Sequence, residues 1–439
     1  MFTSVVSACR RRSSALSCAV GAAVLIAGCA PAVAGAPSLL RIGAIFPLTG
    51  GTAADAGDEY LGALIAVQMV NAGGGVQGRQ ISLDVRSVDS VDQIAPAVAS
   101  LRRDGVPVVI GAYSSQLSIP AAAMVARAGM VYWETGAVAD QVTGQGSPLV
   151  FRVGANGADL GGNSGRFVLQ QLVPRLGASA GSSSAFLVTA DDAYAHSVAA
   201  GARAALSAGG MPVAGEAVYN PFTPNWGAVI DQIRTAHPDV LLLSSHVPDG
   251  VAFRRAFLAA GLHVKAFIGT TMAQCTDFGA ALGADAVGVF ASDRPDYGFN
   301  DRALSGGART LFQRFSATWS KDRGGLPTEE AISGFSAAWA LFANALPHAL
   351  GMNAQAIAGA ARAVDLPNGS LPNGAGLLFS TQLDELGQNV RAAADIWQWQ
   401  APQQYVVVWP ATYATGSVEM GSSAASSAET PQGAPSAGW

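Results

Sequence analysis

The sequence predicts an α/β protein built as two doubly wound parallel-sheet lobes. Short apolar runs alternate with segments of helical spacing from Leu39 onward, and the alternation stops and restarts near residue 158. Strands alternating with helices form a parallel sheet covered on both faces. A chain of 439 residues is long enough for two such units with a sizeable core. Half of its residues are hydrophobic and only 13% are charged, which suits a compact body and not a disordered chain.

In the first unit "LLRIGAIF" reads as a strand and "DEYLGALIAVQMVNA" as a helix. "RQISLDVRSV" is a strand, and "DQIAPAVASLRRD" a helix despite Pro96 near its start. "VPVVIGAY" is a buried strand, "SIPAAAMVARAG" a helix and "MVYWETG" a further strand. The second unit opens with the helix "GGNSGRFVLQQLVPRLG" and the strand "SSSAFLVTADD". It continues with "AYAHSVAAGARAALSAGG", "MPVAGEAVY", "NWGAVIDQIRTAHP", "DVLLLSSH", "GVAFRRAFLAAGL" and "VKAFIGTT", again helix and strand in turn. The last third carries the helices "GGARTLFQRFSATWSKDRGG", "EEAISGFSAAWALFANALPHAL" and "AQAIAGAARAV". The strands "GAGLLFS", "VRAAADIWQWQ" and "QQYVVVWP" follow. Beyond Pro410 the chain becomes Ser/Ala/Gly/Pro-rich, and 413–439 is expected to be a disordered tail.

The first 28 residues read as an export signal. Arg10, Arg11 and Arg12 precede "ALSCAVGAAVLIAG", an uncharged run too short to span a bilayer as a helix. It closes on "LIAGCA", which resembles the bacterial lipobox, in which the cysteine (here Cys29) is lipidated. Residues 29–38 then form a tether. Removing three arginines takes the formal charge from -5 to -8 and leaves Cys29 and Cys275, so no disulfide framework is expected. No long basic run exists outside the leader, which argues against nucleic acid as a partner.

The usual chemical motifs fail on context. "GGGVQG" has the spacing of a dinucleotide fingerprint, but it follows a helix and precedes a strand. Its glycines do turn work. The loop in "GAIFPLTGGTAADAGDEY" lacks the Lys–Ser/Thr pair of a phosphate loop. Ser179 in "GASAG" lies in a loop before a strand, where a nucleophile elbow needs strand, turn and helix in that order. The five histidines show no metal-ligand spacing, and Asp191–Asp192 suits a helix cap better than an acid–base pair. No catalytic set, metal or cofactor is expected.

"RIGAIFPLTGGTAADAGDEYLGALIAVQMVNAGGGVQGRQISL" resembles the opening of type I periplasmic binding proteins, closest to the Leu/Ile/Val-binding receptors of ABC transporters. "VPVVIGAYSSQLSIPAA", "GSPLVFRV", "TADDAYAHSVAAGARAALSAGG", "IDQIRTAHPDVLLLS", "AVDLPNGSLPNGAGLLFS" and "IWQWQAPQQYVVVWP" continue the likeness in order, over residues 39 to 412. The resemblance implies two lobes joined by three hinge crossovers, with the ligand held between them. One lobe would be 39–158 plus 292–390 and the other 159–291 plus 391–412. It implies a small polar solute and ABC-transporter permease subunits as partners, with attachment to the outer face of the membrane through Cys29. A sensory module of the same fold, feeding a signalling partner, and a secreted hydrolase are the alternatives.

Carried over by position, the family's carboxylate anchor falls on Ser115, with Ser114 beside it. The next loop offers the amides of Gly136 and Ala137, with Glu134 close by. The second lobe contributes Tyr194 and His246. Members that bind amino acids place an acid after the "FIGTTM"-type strand to pair the ammonium. Here Thr271 and Met272 are neutral, and Ala56 replaces a frequent tyrosine. This leaves Glu134 or Asp192 as ionic partners, or a ligand that is not an α-amino acid: an amide, a urea-like compound or an aromatic or aliphatic acid. Leucine, isoleucine and valine are accordingly expected to bind weakly.

Overall fold

Strands β1 (Leu39–Phe46), β2 (Gln80–Ser87), β3 (Val108–Gly111), β4 (Val131–Glu134) and β5 (Val150–Arg152) form a parallel sheet in the order β2-β1-β3-β4-β5. Strands β6 (Ala185–Ala190), β7 (Val213–Tyr219), β8 (Val240–Ser244), β9 (Ala266–Gly269) and β10 (Val289–Asp293) repeat that order as β7-β6-β8-β9-β10. The antiparallel strands β11 (Asp395–Ala401) and β12 (Gln404–Trp409) extend the second sheet beyond β10. The computed structural model describes residues 38–270 and 275–420. The expected leader, Cys29, the tether to residue 37, Thr271 and residues 421–439 lie outside these.

Central strands such as β3, β4 and β8 are buried throughout, as continuous apolar runs covered on both faces should be. Helices α1 (Ala53–Ala72), α2 (Ile94–Arg103) and α3 (Ser115–Arg127) connect the first sheet. Helix α4 (Gly157–Phe167), prolonged by a π turn and the single turn α5 (Val173–Arg175), leads into the second. There α6 (Ala193–Ala208), α7 (Trp226–Ala236) and α8 (Val247–Ala259) connect the strands, and α9 (Thr276–Leu282) follows β9. The helix starts are written in the sequence: Asn156, Asp192 and Asn225 each accept an amide of the first turn.

After β10 the chain returns to the first sheet through α10 (Gly306–Arg323), α11 (Glu329–Trp339) and α12 (Ala354–Ala363). Helix α11 lies backbone to backbone on α1. A Cβ at Gly62 would meet the Ala331 carbonyl oxygen at 2.1 Å, and one at Gly334 the Glu59 carbonyl oxygen at 2.0 Å. The indole of Trp133 on β4 donates to the Ala337 carbonyl at 2.9 Å, fixing α11 over the sheet. The chain thus passes between the sheets three times: after β5, after β10 and before β11.

Two expectations fail. "GAGLLFS" and the start of "VRAAADIWQWQ" do not join a sheet; they pair through isolated bridges and single backbone bonds, Gly376 to Arg391 and Val390 to Leu378. The Asn389 side chain interrupts the ladder, accepting from the Leu378 amide and donating to the carbonyls of Val153 and Gly376. Residues 413–420, expected within the disordered tail, are also packed on the fold. Tyr413 is buried, and its hydroxyl donates to Gly374 at 3.0 Å. The amides of Thr415 and Glu419 bond to Val407 and Gln398, while Val418 and Met420 pack on the second sheet. Those apolar side chains and backbone bonds outweigh the low-complexity composition. Among the described residues no helix is long and apolar enough to cross a membrane.

Candidate binding cleft

Each sheet reverses its strand order once, between β1 and β3 and between β6 and β8. A crevice opens outside the carboxyl ends of strands at such a point. In the first half it is walled by the 47–52 loop and by Tyr113, Ser114 and Ser115. In the second half the corresponding loops carry Asp192 and Tyr194 after β6 and His246 after β8. The residues expected around the ligand therefore fall at the two switch points, apart from Gly136, Ala137 and Glu134 at the end of β4 and Thr271 outside the described residues.

The loop after β4 is the most tightly built part of this region. The Glu134 carboxylate turns back and accepts from the amides of Gly136, at 2.6 Å, and of Ala137. Ser115 Oγ accepts the next two, from Val138 at 3.3 Å and Ala139 at 3.0 Å. The amide of Asp140 donates to Ser197 Oγ on α6, at 3.1 Å. The carbonyls are held as well. Arg294 Nη1 donates to Gly136 at 2.6 Å, and Arg152 Nη1 donates to Ala139 at 2.7 Å and to Ala137 at 3.3 Å. Successive amides facing one way make an anion-binding concavity. The amides of Gly136 and Ala137, expected to face a ligand, are held in this structure by the chain's own carboxylate. Ser115 is likewise an acceptor inside the loop, and it is 5% exposed.

In the second half Tyr194 is buried; its hydroxyl donates to Thr270 Oγ1 at 2.8 Å, and its ring lies 5.1 Å from that of His246. His246 Nε2 pairs with Asp192 Oδ2 at 2.9 Å, and its side chain is half exposed. Burial lowers the imidazole pKa, but Asp192 more than offsets it, and the net shift is upward. His246 holds the Asp192 carboxyl below its usual range despite burial. Asp192 also caps α6 through the Ala195 amide, the role its position suggested.

Several residues here were not singled out by the sequence. Asp55, in the first turn of α1, accepts from the Tyr113 hydroxyl at 3.3 Å. Burial raises its carboxyl pKa, while its charge reaches His246 and Asp277 of the second half. Glu330, half buried in the first turn of α11, is pushed well up by burial and then by Glu329 and Asp55. Glu59 is fully buried. Thr135 donates to one of its oxygens, whereas Oε2 has no hydrogen-bond partner. A Cβ at Gly136 would come within 1.9 Å of that Oε2. Arg294 counters these acids, bonding Glu329 at 2.8 Å; Glu329, Asp293 and Glu134 hold its charge in place against burial. Burial, and after it the surrounding acids, push the Cys275 thiol well up, away from the reactive thiolate. Among the described residues no group of His, Cys, Asp and Glu could hold a metal ion.

Two sheets wound alike, each with one switch point and joined by three passages of the chain, are the frame of a two-lobed solute-binding protein. The chain belongs to the periplasmic binding protein family, whose model matches residues 40–417, and it is a binding protein, not an enzyme. It is 28% identical over 398 residues to the Leu/Ile/Val-binding protein homolog 8 of Brucella suis biovar 1 (strain 1330), spanning 89% of this chain and 95% of that one. It is 28% identical over 406 residues to homolog 7 of the same organism, with 92% and 98% covered. A leucine binding protein from Thermotoga maritima shares the fold with a TM-score of 0.70 at 17% identity, covering 84% of this chain and 98% of that one. A solute binding protein from R. palustris in complex with benzoate does so with a TM-score of 0.67 at 18% identity, covering 87% and 99%.

Proposed function

We propose that the protein is a lipid-anchored extracytoplasmic receptor that captures a small polar solute between its halves and delivers it to an ABC importer. The observation that carries this reading is the meeting of the two switch points. There the Asp140 amide of one half donates to Ser197 Oγ of the other at 3.1 Å. Relatives named as Leu/Ile/Val-binding protein homologs, alike along nearly the whole chain, support the same class. The anchor rests on "LIAGCA" behind a basic, apolar leader.

The test is ligand-induced closure. A solute at about a hundred times its dissociation constant stabilises the fold by about 2.7 kcal/mol, and solution scattering should then give a smaller radius of gyration. A stabilising solute that leaves the radius unchanged contradicts capture between the halves. For the anchor, Cys29→Ala should move the protein from the membrane to the soluble fraction. Retention of that variant on the membrane would refute lipidation.

A further inference from the structure

We propose that Glu134 determines specificity: it fills the amide nest after β4 with the chain's own carboxylate, so the cleft takes a cationic ligand without a free carboxylate, an amine or an amino-acid amide. The proposal rests on the solute-receptor reading and adds the ligand's charge to it.

Three observations carry it. First, the nest is full. The amides of residues 136 through 139 are divided between Glu134 and Ser115, so an incoming carboxylate finds no donor there. It would also stand beside Glu134 itself.

Second, the cations of this region are committed. Arg152 is spent on Gln388, Thr143 and the carbonyls of Ala137 and Ala139. Arg294 holds Gly136 and Glu329, and His246 holds Asp192.

Third, the remaining titratable groups here are acids. Asp55 accepts from the Tyr113 hydroxyl at 3.3 Å, and Glu330 stands beside Glu329 in the first turn of α11. Behind the loop stands Glu59, fully buried, with Oε2 unpartnered against Gly136. A buried oxygen without a partner gives an anion no donor and gives an ammonium an acceptor.

The experiment uses the mature chain and matched triplets: an amino acid, its amide and its decarboxylated amine. Leucine, leucinamide and 3-methylbutylamine form one set, and small and aromatic side chains supply others. Thermal shift finds the responsive set, and calorimetry ranks its members. The wild-type protein should bind the amide or the amine at least about tenfold more tightly than the amino acid, a difference of about 1.4 kcal/mol. In Glu134→Ala the nest opens, and the amino acid should gain at least as much. Glu134→Gln keeps an oxygen on the two amides but removes the charge, so the cation should weaken while the amino acid stays excluded. A wild-type preference for the amino acid, or a Glu134→Ala variant with an unchanged ratio, overturns the proposal. Silence of every triplet in folded wild-type and variant proteins alike overturns the solute-receptor reading, and this proposal with it.

Discussion

Glu134 and Ser115 divide four successive amides between them: Glu134 holds those of Gly136 and Ala137, and Ser115 those of Val138 and Ala139. One residue ends a strand and the other begins a helix, so the loop is clamped by two rigid elements.

Ser115 is accordingly a structural residue first. Ser115→Ala leaves two buried amides without an acceptor and should lower the stability of the ligand-free protein by about 2 kcal/mol. Urea unfolding of the empty protein measures it. A midpoint equal to wild type would show that the loop finds other acceptors.

The carboxyl of Glu134 is raised to about 7, burial outweighing Arg152 and the two amides. A raised acid folds best when protonated. Its contribution is complete below about 4.5, the unfolded value, and is lost as pH climbs to about 7, roughly 3 kcal/mol in all. Glu59, Glu330 and Asp395 are shifted the same way. The ligand-free protein should therefore melt higher at pH 5 than at pH 7.5, and Glu134→Gln should flatten that difference. A melting temperature that rises from pH 5 to 7.5 would contradict the shift.

Arg294 ties the segment after β10 to the β4 loop and to α11. Arg294→Met strands Glu329 in the interior and should cost about 3–5 kcal/mol. Replacing Glu329 with Leu in the same protein should recover much of this, so the two changes are far from additive. Equilibrium unfolding of the two single variants and the double variant measures the coupling; strict additivity would mean that the pair is not coupled.

Gly334 and Gly359 make a matched pair. A Cβ at Gly334 runs into the Glu59 carbonyl, whereas one at Gly359 on α12 meets nothing within 4 Å. Gly334→Ala should destabilise by about 1–3 kcal/mol through overpacking. Gly359→Ala should stabilise by about 0.5–1 kcal/mol through helix propensity. Denaturation midpoints that move in the same direction would refute the contact.

Much of this architecture is legible in the sequence because it is local. The buried run "VPVVIGAY" followed by serines announces a strand end and a helix start, and "TADDAYA" announces the cap at Asp192. The inward turn of Glu134 is not legible, since the same spacing allows the carboxylate to face the cleft. Arg294, Glu329 and Glu330 escape notice for another reason. They reach the loop from more than 150 residues downstream, and no local pattern reports a partner so distant. The strands expected in 375–395 shorten to isolated pairs because the Asn389 side chain takes the amides of Leu378 and Arg391, which a regular ladder would pair with backbone.

The contact of α1 with α11 bears on how such a protein can diverge. Hydrogen is the only substituent that fits at 62 and 334, so any larger side chain forces the two helices apart and carries Glu59 and Glu329 with them. Apart from glycines such as Gly136, strand-end loops are under no such restriction. New preferences can therefore arise by exchanging side chains such as those at 113, 134, 194 and 246 on an unchanged frame, one substitution at a time.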